Sequence, residues 1–460
     1  MRSFLLTLFT LTISLLFPQV AKCQAAAPAL QAGQAIVDIT PAVGTQLGGY
    51  LDPKSQRLVK GVRQPATARC LVLRVRNSYA AIVSLDMLAV GGKMAGQIRT
   101  AVSQRTGIAK DNICICATHT HSMPTLKPLR FYGSPPPKYS RQVIKAIVKG
   151  LDQAKADLSP AQLFVGTARA PAANFNRTFK SWKTDDEFTK QSTDDDRWLD
   201  STVQVLHFKR PDKKDLLWYH FSAHPVCYRD SPNCGPDFDG HVSKLVKQHF
   251  DITPSFLQGH CGDVNTGDGK SFLGDADKVS HIVFAAIKKA MKEAREITVS
   301  QMQMVRTSFA VPYDKMLWNE WITHYEKNKG NKEGLGRGWF NREFARDWYA
   351  SVDKWDDKQT HFAMPVSVLR FGDVALLFHA AELYSYYGLA IRRDSPFKHT
   401  IVVGYTDDLV GYLADPRAYT RNEYAAVAVP KVIDLPPFTP TAAREFTQFA
   451  VGLLKKVAEQ

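Results

Sequence analysis

The stretch that decides the fold is Ile113-Cys114-Ile115-Cys116-Ala117-Thr118-His119-Thr120-His121. Its first half is apolar and partly β-branched, which predicts a buried strand. Residues two apart on an extended backbone project to the same side, so His119 and His121 are predicted to lie together where the strand ends. Neutral imidazole is a common zinc ligand and a common general base near pH 7. The pair alone leaves two interpretations open: chemistry or metal binding, and ordinary polar filling at a strand end.

Further strand-like and helical runs alternate along the chain. The strand-like runs are residues 70–75, 80–85, 204–208, 216–221, 366–371, 374–378 and 400–403, and the clearest helical runs are residues 141–158, 275–295 and 441–457. This mixture predicts an α/β (mixed α+β) fold with mixed β-sheets flanked by helices. No internal repeat and no low-complexity linker divides the chain, so we expect a single large domain over residues 25–460.

Residues 1–24 differ in composition from the rest of the chain. Arg2 is followed by an almost wholly apolar run, residues 4–20, and then by small residues. This order is typical of a secretory signal peptide, and the run is too short for a stable membrane anchor. No later segment holds about eighteen uncharged apolar residues in a row. We therefore predict a secreted or periplasmic protein without a transmembrane anchor.

The chain is basic, with 59 lysines and arginines against 44 aspartates and glutamates and a formal net charge of +15. One interpretation is a solvated basic surface. The other is contact with an anionic surface, such as lipid headgroups or acidic polysaccharide. Nucleic acid is not an expected partner, because the basic residues are dispersed and the sequence holds no nucleic-acid-binding motif.

Cysteine usage also bears on the kind of metal site to expect. Beyond residue 24 the cysteines are Cys70, Cys114, Cys116, Cys227, Cys234 and Cys261. An oxidising compartment permits disulfides, and a bridge between Cys227 and Cys234 would close the loop after His224. No pair has the CxxC spacing of a structural zinc site, so a metal is expected to be held by histidine and carboxylate.

Residues 313–358 differ in texture from their surroundings. They include five of the eight tryptophans, together with many charged residues and several glycines. In one interpretation the rings pack two helical pieces onto the body of the protein. In the other, the segment is an insertion that forms a lid or rim over the substrate, because flexible glycines beside large amphipathic rings suit a mobile cover.

Three further strand ends carry polar residues. Residues 221–225 form a strand end in which His224 precedes a proline, residues 256–265 pass from a strand into a glycine-rich turn, and residues 377–382 deliver Glu382 at the predicted start of a helix. The proline favours extended geometry at His224, and the glycines permit close approach of backbone to a ligand. Each strand end also has an ordinary explanation, as a core histidine, a tight turn or a charge that favours a helix start.

Taken together, the four strand ends resemble the neutral/alkaline non-lysosomal ceramidase family, which are zinc amidases that hydrolyse N-acylsphingosine. The resemblance covers roughly residues 33–430, and its most specific piece is the string Thr-His-Thr-His-Ser at residues 118–122. It implies that residues 25–460 form a zinc hydrolase domain. The implied zinc ligands are His119, His224, Glu382 and Tyr412. The resemblance also implies proton transfer or hydrogen bonding by His121 and stabilisation of the oxyanion by Arg177.

Two features depart from the family pattern. Where family members have Gly-Asp-Val-Ser-Pro-Asn, residues 262–267 read Gly-Asp-Val-Asn-Thr-Gly, so that Asn265 stands in place of the serine. The chain is also expected to lack the C-terminal β-domain of longer ceramidases. The main prediction is a secreted zinc amidase acting on ceramide or a related N-acyl lipid. The alternatives are a zinc hydrolase acting on another amide or ester, such as an acylated sugar, and a non-enzymatic binding protein.

Overall fold

The structure is a computed structural model of the 460-residue chain, and it describes residues 30–178, 183–184, 198–331, 334–352, 354–356 and 358–460. The predicted signal peptide, residues 1–24, lies outside the described residues. The described part is a mixed α/β protein in which several β-sheets are flanked by helices, and the predicted fold class is confirmed. Among the described residues, no helix is both long enough and apolar enough to cross a membrane.

The strands and helices of the described part have the following bounds. The strands are β1 (Leu30–Asp38), β2 (Gly61–Val62), β3 (Thr67–Val75), β4 (Ser78–Leu85), β5 (Ile113–Ala117), β6 (Ser159–Pro160), β7 (Gln162–Arg169), β8 (Asn174–Asn176), β9 (Lys183–Thr184), β10 (Trp198–Leu199), β11 (Thr202–Lys209), β12 (Leu216–Phe221), β13 (Asn233–Cys234), β14 (Ser255–Gln258), β15 (Val264–Thr266), β16 (Arg295–Ile297), β17 (Met302–Pro312), β18 (His361–Phe371), β19 (Val374–His379), β20 (Glu382–Leu383), β21 (His399–Val403) and β22 (Tyr412–Leu413). The helices are α1 (Gly92–Thr106), α2 (Pro137–Ala156), α3 (Phe238–Phe250), α4 (Ala276–Glu293), α5 (Lys315–Asn328), α6 (Arg342–Val352), α7 (Ser385–Asp394), α8 (Pro416–Thr420), α9 (Tyr424–Val427), α10 (Val429–Val432) and α11 (Ala442–Ala458).

Three larger sheets form the body of the protein. Their strand orders are β5-β4-β3-β1-β6, β14-β12-β11-β7-β16 and β17-β18-β19-β21. Most neighbouring strands are antiparallel, but each sheet contains one parallel pair, namely β4 with β5, β12 with β14, and β19 with β21. Strands β5, β12 and β19 are buried along their whole length, as their continuous apolar sequences require. The chain leaves the carboxyl ends of these three strands directly into the candidate site.

Backbone and side-chain contacts join the three sheets at these strand ends. The outer edge of β5 is covered by residues that follow β21: Ala117 N–H donates to Tyr405 O over 3.1 Å, and Asp407 N–H donates to Ile115 O over 2.8 Å. Gln258, at the end of β14, donates from Nε2 to Thr118 O over 2.9 Å and to Ala223 O over 3.0 Å. A single buried amide therefore ties the residue before His119 to the residue before His224.

The bridge that the sequence permits between Cys227 and Cys234 is not formed. All six cysteines of the described residues are free thiols. The two side chains belong to different local structures: Cys234 lies on β13, which pairs with β2, whereas Cys227 Sγ lies 3.2 Å from the Thr266 hydroxyl on β15. An oxidising compartment permits disulfides, but two cysteines can form one only if the backbone places their side chains facing each other.

The tryptophan-rich residues 313–358 include α5 and α6. Trp318, Trp321 and Trp348 are buried and lie against one another. The buried ammonium of Lys431, on α10, lies 3.3 Å from the centroid of the Trp321 ring and 4.5 Å from that of Trp339. Such cation–π contacts are strongest where water is excluded, so Lys431 fastens the segment to α10. Whether the segment acts as a lid stays a prediction.

A buried acidic cluster lies between the first and second sheets. Arg69 donates from Nη1 to Asp86 Oδ1 over 2.6 Å. Asp239, on α3, is buried nearby, and its Oδ2 has no hydrogen-bond partner among the described residues. Burial and, to a smaller extent, the charge of Asp86 raise the pKa of Asp239 to about 7.

This raised pKa predicts that stability falls as pH increases. The folded protein holds the Asp239 proton in a range where the unfolded chain, with an ordinary value of 3.8, releases it. The contribution is complete below pH 3.8 and is lost as pH rises through about 7, with an upper limit of about 1.4 kcal/mol per pH unit. We expect Asp239→Asn to gain stability relative to the wild type over this range. Urea unfolding at several pH values measures the difference, and a constant difference would contradict the assignment.

Candidate metal centre and active-site pocket

Three imidazoles converge where β5 and β12 end. His119 and His121 follow β5, His224 follows β12, and one ring nitrogen from each lies within 4.8 Å of the others. The Nε2 atoms of His119 and His121 are 3.3 Å apart. His119 and His224 are buried, whereas His121 is partly exposed and lines a pocket. The three rings therefore form the floor of a site that opens to solvent on the side of His121.

The backbone brings His119 and His121 together in a way that differs from the prediction. Strand β5 ends at Ala117, and His119 adopts a left-handed conformation with φ of 66° instead of continuing the extended strand. This conformation costs free energy in a non-glycine residue, so contacts with the surrounding structure must stabilise His119 in it. His119 N–H donates to Met87 O over 2.9 Å, and its ring stacks on Tyr405 with centroids 4.3 Å apart. A sharp turn, and not strand alternation, places the two rings side by side.

Backbone carbonyl groups orient all three imidazoles. The Nδ1 atom of His119 lies 2.8 Å from Leu88 O, that of His121 lies 2.7 Å from Gly49 O, and that of His224 lies 2.6 Å from Cys261 O. Because a carbonyl oxygen only accepts, each Nδ1 of a neutral ring carries the hydrogen and each Nε2 presents a lone pair. Facing lone pairs at 3.3 Å between His119 and His121 need a cation or a proton nearby. This is the usual arrangement of metal-binding histidines.

The carboxylate of Glu382 lies against the same nitrogens. Its Oε2 is 3.2 Å from His224 Nε2 and 3.5 Å from His119 Nε2. Four ligands at about 2.0–2.1 Å in a tetrahedron lie about 3.3 Å from one another, so these separations suit a zinc ion. Burial alone would raise the pKa of Glu382, but His119 and His224 hold it below its ordinary value. Burial, followed by the charge of Arg177, lowers the pKa of His224 to about 4.

The sequence predicts that Glu382 lies at the start of a helix, but in the structure it lies on a strand. It opens β20, and α7 begins only at Ser385. Strand β20 pairs in parallel with β22, so that Glu382 stands opposite Tyr412. Burial, followed by the charge of Glu382, raises the pKa of Tyr412. The register of this short pair therefore brings two of the predicted zinc ligands to the same place.

Arg177 follows β8 and reaches the site beside Tyr412. Its Nη2 donates to Tyr412 OH over 2.9 Å and to Gly262 O over 2.5 Å, and its Nη1 donates to Asn265 Oδ1 over 3.3 Å. These three acceptors hold the plane of the guanidinium while leaving other N–H groups free to bind a ligand. The arginine is thus a rigid positive group at the wall of the pocket.

The pocket over these residues has a volume of about 380 Å³ and a mouth rich in aromatic rings. His121, His224, Arg177 and Tyr412 line its inner part, and Tyr50, Phe272 and Tyr424 are 45%, 56% and 44% exposed at the surface. Exposed rings at a pocket mouth are suited to contact with a ligand.

All six predicted site residues lie at this site, and the roles assigned to them stay predictions. Sequence reasoning did not single out Gly49, Tyr50, Tyr132, Arg229 or Phe272, which also contribute to it. They come from loops far apart in the chain, and no spacing or motif marks them. Arg57 was also missed: its guanidinium donates to Gly48 O over 2.5 Å and to His121 O over 2.8 Å, and so supports the loop of His121.

Gly49 provides a test of the orientation of His121. Its φ is +86°, and a Cβ atom there would lie 2.8 Å from His121 Nδ1. We expect Gly49→Ala to displace the imidazole and to lower kcat/KM on the order of tenfold to a hundredfold, as for other groups that orient metal-site histidines. Gly44→Ala is the matched control, because Gly44 has a φ of +84° and open space around it. Equal activity of the two variants would contradict the role of Gly49.

The fold and the site together define an α/β protein with a candidate metal centre of imidazoles and a carboxylate at the ends of buried strands. Residues 30–258 match the family described as neutral/alkaline non-lysosomal ceramidase, N-terminal. Residues 30–258 belong to this family, and the family prediction made from the strand ends is confirmed.

Two solved structures share the fold. The crystal structure of neutral ceramidase from Pseudomonas aeruginosa matches with a TM-score of 0.71 and 16% sequence identity over 94% of this chain and 75% of that chain. A ceramidase complexed with C2 matches with a TM-score of 0.71 and 17% identity over 94% of this chain and 76% of that chain. At such low identity the similarity establishes the fold alone.

Proposed function

We propose that the protein is a secreted zinc-dependent amidohydrolase that cleaves the N-acyl amide of ceramide or a related N-acyl lipid. The family membership supports a hydrolase acting on an amide. The observation that carries the zinc proposal is the cluster of three imidazoles, each oriented through Nδ1 by a carbonyl, with the Glu382 carboxylate against the Nε2 atoms of His119 and His224. Secretion rests on the composition of residues 1–24.

His119, His224, Glu382 and Tyr412 are the residues that would hold the zinc ion. Imidazole and carboxylate ligands suit zinc, and a phenol is the weakest member of the set because its pKa is ordinarily near 10. When bound, zinc supplies a positive charge that polarises a carbonyl and acidifies water. Arg177 lies beside Tyr412 and would donate to the oxygen of the amide as negative charge develops on it.

His121 is proposed to move the proton. Its ring lines the pocket, is oriented by Gly49 O, and has a pKa that burial, followed by the neighbouring His119, lowers well below 6.5. A neutral imidazole can accept a proton from water and deliver it to the departing amine nitrogen.

The alternative role for His121 is metal binding, because its Nε2 lies close to that of His119. We expect His121→Ala to retain zinc while kcat falls on the order of 10²–10⁴-fold, the usual contribution of an acid–base group. Metal analysis beside steady-state kinetics measures both quantities. Loss of zinc together with activity would instead make His121 a ligand.

The mouth of the pocket favours a second candidate function on the same centre. Tyr50 and Tyr424 present phenol rings there, and the Arg229 guanidinium lies 5.1 Å from the centroid of the Tyr50 ring. Aromatic faces beside a polar cation would also suit an acylated sugar, whose ring has apolar faces and polar edges. In this second function the protein would still hydrolyse an amide or an ester, but the leaving group would be a sugar instead of the amine of sphingosine.

The decisive experiment incubates the purified, zinc-loaded protein with N-dodecanoylsphingosine, an N-acetylated sugar and an O-acetylated sugar. Release of fatty acid and sphingosine, abolished by a chelator and restored by zinc, is expected. Cleavage of a sugar substrate without cleavage of the ceramide would select the second candidate. Stoichiometric binding without cleavage of any substrate would favour a non-enzymatic binding protein.

A further inference from the structure

Asn265 connects the arginine of the pocket to the pocket mouth. It lies fully buried on β15. Its Oδ1 accepts from Arg177 Nη1 over 3.3 Å, and its Nδ2 donates to Phe272 O over 2.7 Å. A guanidinium only donates and a carbonyl only accepts, so the two partners determine which way the amide faces. Both ends of the amide group are therefore used.

Phe272 belongs to a short segment that folds back on β15. The segment runs between Gly267 and Gly274, whose φ angles of +98° and +77° turn the chain at either end. Besides Asn265, the hydroxyl of Thr266 fastens the segment, donating to Leu273 O over 3.0 Å. Two neighbouring side chains of β15 thus hold the backbone on which the Phe272 ring is mounted.

The ring of Phe272 has an unusual environment for a large apolar group. It is 56% exposed, although it lines the same pocket as Arg177 and His224. The other two exposed rings at the mouth, Tyr50 and Tyr424, carry hydroxyl groups, whereas phenylalanine offers a ligand nothing but apolar surface. An apolar part of a substrate would cover it.

We propose that Phe272 is a specificity-determining residue that contacts the hydrocarbon of the substrate's acyl chain, and that Asn265 is a positioning residue that holds Phe272 relative to Arg177. This inference rests on the proposed function and names the part of the substrate that meets this wall of the pocket. An acyl chain that covers the exposed half of the phenylalanine ring is expected to increase the affinity for the substrate about tenfold, from the usual relation between buried apolar area and free energy.

The test compares Phe272→Ala and Asn265→Asp on N-dodecanoylsphingosine and N-acetylsphingosine. Asn265→Asp keeps an oxygen that accepts from Arg177 but removes the donor to Phe272 O, so it separates the two contacts of Asn265. With the long amide, both variants are expected to raise KM about tenfold, and Phe272→Ala, which leaves Arg177 and its acceptors untouched, should keep kcat within about threefold. With the short amide, KM should change less than about threefold. Met316→Ala removes another exposed apolar side chain and serves as control.

A merely structural role would give a different pattern. Equal shifts in KM for the two amides, or a loss in kcat without a change in KM, would overturn the proposal.

The test separates this inference from the proposed function. If the wild type cleaves neither amide, the proposed function fails, and calorimetric binding of dodecanoate to the wild type and Phe272→Ala decides the inference. Affinity about tenfold weaker in the variant supports a hydrocarbon contact at Phe272. Equal affinity, or no binding of dodecanoate to the wild type, overturns it.

Discussion

Replacing Glu382 by glutamine is expected to abolish zinc retention and to lower kcat on the order of 10³-fold or more. The two side chains have nearly the same shape, but glutamine brings no negative charge to the Nε2 atoms of His119 and His224, which lie 3.5 and 3.2 Å from the carboxylate. Because the site is buried, solvent water is excluded and cannot compensate for the loss of the negative charge. Metal analysis after dialysis and steady-state kinetics measure the two effects.

Glu445→Gln is the matched control for this substitution, because Glu445 is an exposed residue of α11. It should retain zinc and activity. Thermal unfolding of both variants in the absence of metal separates loss of the ligand from loss of the fold. A Glu382→Gln protein that keeps stoichiometric zinc and full activity would remove Glu382 from the metal centre.

Arg177→Lys is expected to lower kcat on the order of 10²–10³-fold with zinc content unchanged. The planar guanidinium is held by Tyr412 OH, Gly262 O and Asn265 Oδ1, whereas a lysine ammonium is a compact charge on a flexible stem. The variant therefore preserves the charge and loses the fixed direction of the donors.

Arg229→Lys is the comparison for this result, since Arg229 lines the same pocket but interacts with Tyr50 and Asp230 at its mouth. It should change KM more than kcat. If Arg177→Lys lost zinc as well as activity, the arginine would act by supporting Tyr412, and a role at the amide oxygen would be wrong.

The parts of the fold that depend on apolar periodicity were predictable. The run at 374–378 became β19, Val374–His379, and the helical stretch at 275–295 became α4, Ala276–Glu293. The start of α4 follows from the side chain of Asp275, which accepts hydrogen bonds from the N–H groups of residues 277 and 278. Burial of continuous apolar strands and capping of helices are local effects, and a single sequence records them.

The parts that depend on long-range pairing were not predictable from local pattern. Glu382 and Tyr412 meet because two short strands pair in parallel, and these strands are too short to show periodicity. The left-handed turn at His119 is stabilised by Met87 and Tyr405, which the motif itself does not include. The six residues that the family resemblance implies lie close together in the structure. A resemblance transfers the spatial arrangement of known family members, so it does not require the strand pairing to be recognised in the sequence.

The packing of the tryptophan-rich segment makes the intrinsic tryptophan fluorescence of the protein sensitive to the conformation of that segment. Five of the eight tryptophans belong to residues 313–358, and several of their rings share the buried ammonium of Lys431. No tryptophan is among the described residues that line the pocket. Because most of the tryptophans lie in this segment, a rearrangement of the α5–α6 region on adding a ligand would alter the fluorescence spectrum even though these rings do not touch the ligand.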